Sequence, residues 1–288
     1  DRRPTPVGWG WRVYPSILLG GSGDSVDGMT STPGSDGQLS FDLGGRRALV
    51  TGGGTGIGRT VALALARAGA DVAVTFRTHD GESVADEIRV LGRRSAAFPL
   101  DATDEDAVRD VVARAADALG GPVDTLVNNA GGLVGRVAIG EMSLDHWRTV
   151  MDVNVTSAFL VTREVMASMP GGGRIVMLGS IAGETGGSTG SAAYAASKTA
   201  LEGLTRGLAR ELAPRGTTVN LVAPGYITDT PFHETFSTPA KRAATVEGIP
   251  LGRAGHPDDV AAAVRWLVSP AASFVTGTMT HVNGGAWF

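Results

Sequence analysis

From residue 47 to the end of the chain, short apolar runs alternate with longer stretches of helical periodicity. The runs are nearly all apolar rather than alternating with polar residues, which is typical of strands that are covered on both faces. A helical stretch fills nearly every gap between the runs, and this order predicts a parallel sheet of the α/β class. The predicted strands are residues 48–51, 72–76, 95–100, 125–128, 174–178, 218–222 and 279–282. The predicted helices lie near residues 59–68, 82–91, 105–119, 144–169, 195–213 and 258–268. We therefore expect a single-domain, doubly wound, seven-stranded parallel sheet with helices on both faces.

The chain divides into two parts of different character. Residues 1–40 are rich in Gly, Ser, Pro, Asp and Thr and show no sustained period, so we predict a disordered or artefactual extension there. Residues 41–288 are predicted to form the folded domain. Within that domain, residues 223–256 are the longest segment without clear periodicity. A loop of that length is usually functional and often a lid.

Composition excludes several classes of function. The chain has 25 Lys+Arg against 29 Asp+Glu and a net charge of −4, which argues against nucleic-acid binding because such proteins carry a basic surface. No apolar run approaches the roughly 18 residues that suggest a membrane span. There is no cysteine, and the five histidines show no metal-ligand spacing, so we predict no bound metal. The lack of cysteine also fits a reducing compartment, so we expect a cytoplasmic protein.

A glycine-rich turn follows the first predicted strand and leads directly into a helix. It contains Gly52, Gly56 and Gly58 within the sequence TGGGTGIG. Gly52 permits the tight turn, Gly56 lets the backbone approach a pyrophosphate, and Gly58 allows close packing of helix on strand. The free amides and the dipole at the helix start would then hold the anion. The sequence therefore predicts a dinucleotide site.

The end of the second strand indicates which dinucleotide is bound. A carboxylate is expected there when the ligand has a free ribose 2′-hydroxyl, but the residues present are Phe76 and Arg77. The planar, always-charged guanidinium of Arg77 suits a 2′-phosphate, so NADP(H) is favoured over NAD(H). Asp101 closes the third strand, where it would either cap a turn or accept a hydrogen bond from the adenine amino group.

Tyr194 and Lys198 lie on one face of a predicted helix because they are four residues apart. A phenol with its ordinary pKa near 10 is a poor acid or base at neutral pH. A unit positive charge about 4 Å away, at an effective dielectric near 20, favours the phenolate by about 4 kcal/mol. We therefore expect Lys198 to lower the pKa of Tyr194 towards neutrality and to create a general acid and base.

Further motifs accompany this pair in the order of one known family. The sequence NNAG at residues 128–131 closes the fourth strand, and Asn154, Ser180 and the Pro224-Gly225 pair follow in order. Together with the glycine-rich turn, this pattern resembles the short-chain dehydrogenase/reductase family over residues 42–288. The resemblance implies a Rossmann fold, a nicotinamide cofactor and a homotetramer.

The resemblance also implies a role for each matching residue. Tyr194 would exchange a proton with the carbonyl or alcohol oxygen, and Lys198 would lower the tyrosine pKa and hold the nicotinamide ribose. Ser180 would orient the carbonyl, and Asn154 would hold a water that passes protons to Lys198. Ser180 and Tyr194 are 14 positions apart, one more than is usual in the family, and the glycine-rich residues 186–190 can absorb the extra residue as a bulge. The residues expected to bind the cofactor are Gly52, Thr55, Gly56, Ile57, Gly58, Arg77, Asp101, Asn128, Gly131, Tyr194, Lys198, Pro224, Gly225 and Ile227.

The substrate is narrowed by three segments, residues 128–136, 179–187 and 230–233. They resemble the reductases of 4-deoxy-5-hexoseulose uronate, whereas the rest of the chain equally resembles the 3-oxoacyl-acyl-carrier-protein reductases. Arg136 follows the fourth strand, and its guanidinium is a natural partner for a substrate carboxylate. His233 is a second candidate for the same pocket. A nicotinamide-binding regulator without turnover is the alternative from another class, although such a protein has no need of Ser180, Tyr194 and Lys198.

Overall fold

The predicted strands are all present and join into one parallel sheet. The computed structural model of the protein describes residues 40–230 and 239–288. The strands are β1 Arg47–Val50, β2 Asp71–Phe76, β3 Ser95–Pro99, β4 Thr125–Asn128, β5 Arg174–Leu178, β6 Thr218–Pro224 and β7 Met279–Val282. They lie in the order β3-β2-β1-β4-β5-β6-β7. The expected α/β class, the strand number and the parallel direction are confirmed.

The strand order contains one reversal, and it lies between β1 and β4. Val50 of β1 pairs with Val74 of β2 on one side and with Val127 of β4 on the other. The chain therefore winds outward from β1 through β3 and then returns to build the other half of the sheet. In open α/β sheets, ligands bind in the crevice that this reversal leaves at the carboxyl ends of the strands.

Helices cover both faces of the sheet. They are α1 Gly56–Arg67, α2 Glu82–Val90, α3 Glu105–Leu119, α4 Leu144–Met151, α5 Ser157–Ser168, α6 Ala182–Thr185, α7 Ala192–Leu212, α8 Pro239–Glu247 and α9 Pro257–Val268 within the described ranges. Side chains of α1, α2 and α9 form one apolar layer, and those of α3, α5 and α7 form the other. Ala48 and Val50 face the first layer, and Leu49 between them faces the second. This alternation of faces along a strand explains why the runs are apolar throughout.

Two stretches differ from the sequence-based expectation. The helix predicted over residues 144–169 is present as α4 and α5, but a π-helical turn, Asp152–Thr156, joins them. Such turns are frequently found at functional sites. The prediction that residues 223–256 lack regular structure is wrong in part, because α8 lies within them. The short helix α6 was also not predicted.

The predicted extension lies outside the described residues up to residue 39, so its conformation stays a prediction. From residue 40 onward, the described residues belong to one compact unit built on the sheet. In that part of the chain, no helix combines the length and the apolar character that a membrane crossing requires.

Candidate active site

A cavity of about 690 Å³ opens at the carboxyl ends of the strands, at the reversal between β1 and β4. Its volume lies within the range of about 300–1,000 Å³ that is usual for ligand sites. Most of the predicted site residues line it, namely Gly52, Thr55, Gly56, Ile57, Gly58, Arg77, Asp101, Gly131, Ser180, Tyr194, Lys198, Pro224, Gly225 and Ile227. Residues that are far apart in sequence therefore share one site.

The glycine-rich turn forms a cradle at the start of α1. Gly52 has a φ of +64°, which glycine adopts without strain. At Gly58 a β-carbon would lie 2.3 Å from the carbonyl oxygen of Gly52, so only glycine lets α1 approach the turn this closely. The N-cap residue Thr55 makes no side-chain cap bond, and the first turn of α1 carries no acidic residue. The amides of that turn are thus available for a pyrophosphate, and the cradle fits a dinucleotide.

Asn129 fixes the shape of the cradle. Its side-chain amide donates to the carbonyl oxygens of Thr51, at 2.9 Å, and Gly52, at 3.1 Å. The hydroxyl oxygen of Thr51 in turn accepts from the backbone amides of Asn129 and Ala130, both at 3.0 Å. These bonds tie the end of β4 to the turn that follows β1.

The prediction that Asn128 binds the cofactor is not supported by its position. Asn128 is buried, and its side chain donates to the hydroxyl of Thr162 at 2.8 Å, away from the cavity lining. Its neighbour Asn129 lines the cavity instead. Successive side chains along an extended chain point in opposite directions. Asn128 therefore points into the core, whereas its neighbour Asn129 points into the cavity.

Arg77 and Asp101 lie together at one end of the cavity. Arg77 is exposed and follows β2 directly, and Phe76 before it is the last residue of that strand. Asp101 accepts hydrogen bonds from the hydroxyl of Thr103, at 2.7 Å, and from its amide, at 3.0 Å. These bonds hold the pKa of Asp101 below its ordinary value, and the charge of Arg77 acts in the same direction. The turn-capping role predicted for Asp101 is therefore present, and the residue also lines the cavity.

Tyr194 and Lys198 lie in the first turns of α7, beside Ser180 at the end of β5. Ser180 forms a hydrogen bond with the phenol of Tyr194. The Nζ atom of Lys198 lies 5.6 Å from the centre of the tyrosine ring and donates to the carbonyl oxygen of Leu178 at 2.9 Å. The predicted convergence of the three side chains is thus present in the structure.

The ionisation of this pair differs from the expectation. Burial raises the pKa of Tyr194 to about 12, and the bond to Ser180 only partly opposes this. Burial also lowers the pKa of Lys198 to about 8. The lysine charge was expected to outweigh the desolvation of the phenol, whereas burial is the larger effect on the pKa of Tyr194 here. At neutral pH the tyrosine is therefore protonated and can serve as a proton donor.

Asn154 lies in the π-helical turn and supports the cavity wall from behind. Its side-chain oxygen accepts from the amide of Gly132 at 3.0 Å, and its side-chain nitrogen donates to the carbonyl oxygens of Gly132 and Val150, both at 2.9 Å. Asn154 is buried and holds both polar groups of Gly132. Its side chain thereby fixes the loop that passes Lys198, while its predicted water-holding role stays a prediction.

The two predicted substrate residues are placed differently. Arg136 is exposed, lies outside the cavity lining, and donates to the hydroxyl of Ser188. His233 lies outside the described residues. Leu133, Val134 and Thr230 line the cavity and were not predicted, because nothing in their residue types distinguishes them from core or turn residues. Across the described ranges, no three His, Asp or Glu side chains are grouped as a metal site would require.

The chain is similar to known proteins over almost all of its predicted domain. A family model described as enoyl-(acyl carrier protein) reductase matches residues 52–286. The chain is 39% identical over 253 residues to a 3-oxoacyl-[acyl-carrier-protein] reductase of Vibrio cholerae, covering 86% of this chain and 99% of that protein. It is 39% identical over 250 residues to a 2-dehydro-3-deoxy-D-gluconate 5-dehydrogenase of Pseudoalteromonas atlantica, covering 85% and 97%. A solved structure of a short chain dehydrogenase from Burkholderia cenocepacia in complex with NADP is 40% identical, with a TM-score of 0.79 and coverage of 85% and 98%.

Proposed function

The chain belongs to the short-chain dehydrogenase/reductase family, and on that premise we propose that it is an NADP(H)-dependent reductase of a small polar oxo substrate, such as an oxo-uronate or another sugar acid. One observation carries the proposal. Ser180, Tyr194 and Lys198 line the same cavity as the glycine-rich turn, so a proton donor lies beside the place for a dinucleotide. The same groups would catalyse alcohol oxidation in the reverse direction.

NADP(H) is the cofactor that the residues favour. Arg77 offers a guanidinium at the end of β2, and no acidic side chain stands at that strand end to repel a 2′-phosphate. The relative from Burkholderia cenocepacia, which is in complex with NADP, supports the same choice. The amides at the start of α1 would hold the pyrophosphate, and Pro224, Gly225 and Ile227 would line the nicotinamide end.

Tyr194 is the proposed proton donor. The nicotinamide cofactor would supply the hydride. Because its pKa is raised to about 12, the phenol of Tyr194 is protonated at neutral pH and can give its proton to the carbonyl oxygen. Ser180, which is hydrogen-bonded to the phenol, would donate a hydrogen bond from its hydroxyl to the same oxygen and so orient the carbonyl.

Lys198 stabilises the tyrosinate that proton donation leaves behind. With a pKa of about 8, Lys198 is mostly charged at neutral pH. Its Nζ lies 5.6 Å from the centre of the tyrosine ring, so its positive charge favours a developing phenolate. The bond from Nζ to Leu178 keeps the ammonium at this position.

The relatives support two substrate classes. The likeness to the dehydrogenase of Pseudoalteromonas atlantica favours a sugar acid, although Arg136, which was expected to meet its carboxylate, lies outside the cavity lining. The likeness to the reductase of Vibrio cholerae favours an oxoacyl thioester as the second candidate. A nicotinamide-binding regulator without turnover is less favoured, because Ser180, Tyr194 and Lys198 line one cavity and a pure binding protein has no need of that set.

A substrate panel and one variant test the proposal. NADPH consumption should be measured with an oxo-uronate, a 2-dehydro-3-deoxy sugar acid, an acetoacetyl thioester and an uncharged diketone. Tyr194→Phe should lower kcat about 10²–10⁴-fold, because it removes the proton donor and leaves the glycine-rich turn intact. NADPH affinity should be unchanged, which serves as the control for folding. Turnover of none of these carbonyls, or substantial kcat in Tyr194→Phe, would sink the proposal.

We also propose that the protein is a homotetramer. The family resemblance supports this, and so does β7, which among the described strands pairs only with β6 and leaves its other edge open. Open strand edges are usually covered or blocked in native proteins. Sedimentation equilibrium would give the mass directly, and a monomer at micromolar concentration would contradict the assignment.

A further inference from the structure

Two loops meet beside the cavity, the loop at residues 131–138 after β4 and the loop at residues 186–191 before α7. The amide of Val137 in the first loop donates to the carbonyl oxygen of Gly190 in the second at 3.0 Å. Arg136 donates from Nη1 to the hydroxyl of Ser188. A β-carbon on Gly190 would lie 3.2 Å from both the β-carbon of Arg136 and the amide of Val137, so glycine allows this close approach. We call these two bonds the clasp.

The first loop holds a strained turn between two points of attachment. It is fixed at its start, where Asn154 binds Gly132, and at its far end by the clasp. Between them, the amide of Gly135 donates to the carbonyl oxygen of Leu133 at 2.7 Å, and Val134 at the centre has a φ of +63°. A three-residue turn with a positive φ at its centre is rare, and for a β-branched residue it is strained. Strain of this kind persists only where the surroundings enforce it.

The second loop leads directly to the catalytic tyrosine. The carbonyl oxygen of Ser188 accepts from both the amide of Ser191, at 3.0 Å, and its hydroxyl, at 2.5 Å. The carbonyl oxygen of Ser191 accepts from the amide of Ala195 at 2.9 Å, in the first turn of α7. Tyr194 is the third residue of that helix. Ser188 is therefore attached on one side to Arg136 and on the other to the helix start that carries the phenol.

We propose that Arg136 is a positioning residue, and that the clasp holds strained Val134 in the cavity wall at a fixed distance from Tyr194. This inference rests on the proposed function, because it assigns a role in the same site. If the clasp opens, the turn at Val134 relaxes and the wall moves relative to the proton donor. The opening of the clasp should lower kcat for every substrate, whether or not the substrate carries a carboxylate. A guanidinium that bound the carboxylate directly would affect anionic substrates alone.

Kinetics of four variants separate these two roles. Arg136→Ala and Ser188→Ala should each lower kcat about five- to tenfold, as the loss of one hydrogen bond would do, on an uncharged diketone and an oxo acid alike. The double variant should be no slower than Arg136→Ala alone, because Arg136→Ala already removes the bond to the Ser188 hydroxyl together with the bond to the carbonyl oxygen of Thr189 at 3.5 Å. Arg136→Lys, which keeps a charged donor, should recover part of the loss. NADPH affinity should be the same in all four. Additive losses of kcat in the double variant would overturn the proposal. So would a loss in Arg136→Ala that is confined to anionic substrates, together with an unchanged kcat in Ser188→Ala.

Arg148→Ala is the matched control, because it also removes an exposed guanidinium, from helix α4, whose His146 would lie 3.4 Å from a β-carbon at Gly135. Arg148 forms an ion pair along its own helix, with Asp145 at 3.5 Å. Its removal should leave kcat unchanged on both substrates. A loss as large as that of Arg136→Ala would show that the effect comes from net charge, and the clasp would then be refuted.

Hydrogen exchange tests the clasp without any turnover. In Arg136→Ala and in Ser188→Ala, the Val137 amide should exchange about tenfold faster, which corresponds to about 1.4 kcal/mol. Arg148→Ala should show the wild-type rate. Unchanged exchange in both clasp variants would overturn the inference even in an active enzyme. If the wild type reduced no carbonyl, the proposed function would fail, and the exchange rates would still decide whether the clasp exists.

Discussion

Gly58→Ala should damage both the fold and the cofactor site, because of where one methyl group would lie. The new β-carbon would be 2.3 Å from the carbonyl oxygen of Gly52 and 2.4 Å from the side-chain nitrogen of Asn129. A β-carbon in a protein essentially never lies within 3.0 Å of another non-bonded heavy atom. The first obstacle is backbone, and the second is held in place by its bonds to Thr51 and Gly52. Neither can rotate away, so α1 must move from the turn.

The size of the effect follows from that displacement. Overpacking of a well-filled site typically destabilises a protein by about 1–3 kcal/mol, and rigid obstacles favour the upper end. For a domain of this size, about 3 kcal/mol lowers Tm by about 6–12 °C. The amides of α1 would also leave their positions, and the loss of one hydrogen bond to a charged phosphate is worth about 1.5–3 kcal/mol. NADPH should therefore bind at least about tenfold more weakly.

Thermal unfolding and fluorescence titration with NADPH measure both effects in one preparation. Gly140→Ala is the matched control, because a β-carbon at Gly140 meets nothing within 4 Å and its φ is not in the left-handed region. It should leave Tm and the NADPH Kd close to those of the wild type. If Gly58→Ala behaves like Gly140→Ala in both assays, then close packing of α1 on the turn is not what shapes this site.

Three further predictions concern the cofactor, the pH dependence and stability. Arg77→Asp should reverse the preference for NADPH over NADH in kcat/KM, because it removes a guanidinium and repels the 2′-phosphate; a wild type that prefers NADH would show that Arg77 is only a surface residue. For carbonyl reduction, kcat should fall as pH rises through about 8, because Lys198 then loses the charge that stabilises the tyrosinate, and a flat kcat up to pH 10 would contradict this role. Asp259→Asn should lower the free energy of unfolding at pH 7 by about 1 kcal/mol at most, because its bonds to Arg253 are exposed. The pKa of Asp259 is lowered to about 2, so its stabilisation is present above the ordinary pKa and is lost as pH falls through about 2; a difference in denaturant midpoint that stays constant from pH 7 to pH 2 would refute the linkage.

The sheet and the glycine-rich turn were predictable because each rests on local pattern. A buried parallel strand needs an apolar run, and the turn after β1 needs glycine where α1 approaches Gly52. The four-residue spacing of Tyr194 and Lys198 places them on one helical face wherever the helix lies. Residues 239–247 were missed because this helix is nine residues long and contains one large apolar residue, Val246, so the sequence shows no sustained helical period there.

The features that sequence reasoning missed depend on contacts across the fold. Asn128 and Asn129 are neighbours of the same residue type, so the sequence does not distinguish them, and only the orientation of β4 decides which of them faces the cavity. The pKa of Tyr194 depends on how much protein surrounds the phenol, and no spacing of charges gives that quantity. The partner of Arg136 is 52 residues away, at Ser188, in a loop with no pattern of its own.

The π-helical turn Asp152–Thr156 has a consequence for which changes in chain length this fold tolerates. Such a turn holds one residue more than an α-helical turn, and each residue of an α-helix turns the chain by about 100°. A deletion inside it would let α4 continue smoothly into α5 and would remove a local irregularity. It would also change the angle around the helix axis between Asn154, which binds Gly132, and the buried face of α5, which includes Val161 and Val165. Either the side-chain amide of Asn154 would move away from the cavity wall, or the buried face of α5 would rotate away from the sheet. The extra residue allows one continuous helical segment to present Asn154 to the cavity wall and the apolar side chains of α5 to the sheet, although these two surfaces lie at different angles around the helix axis.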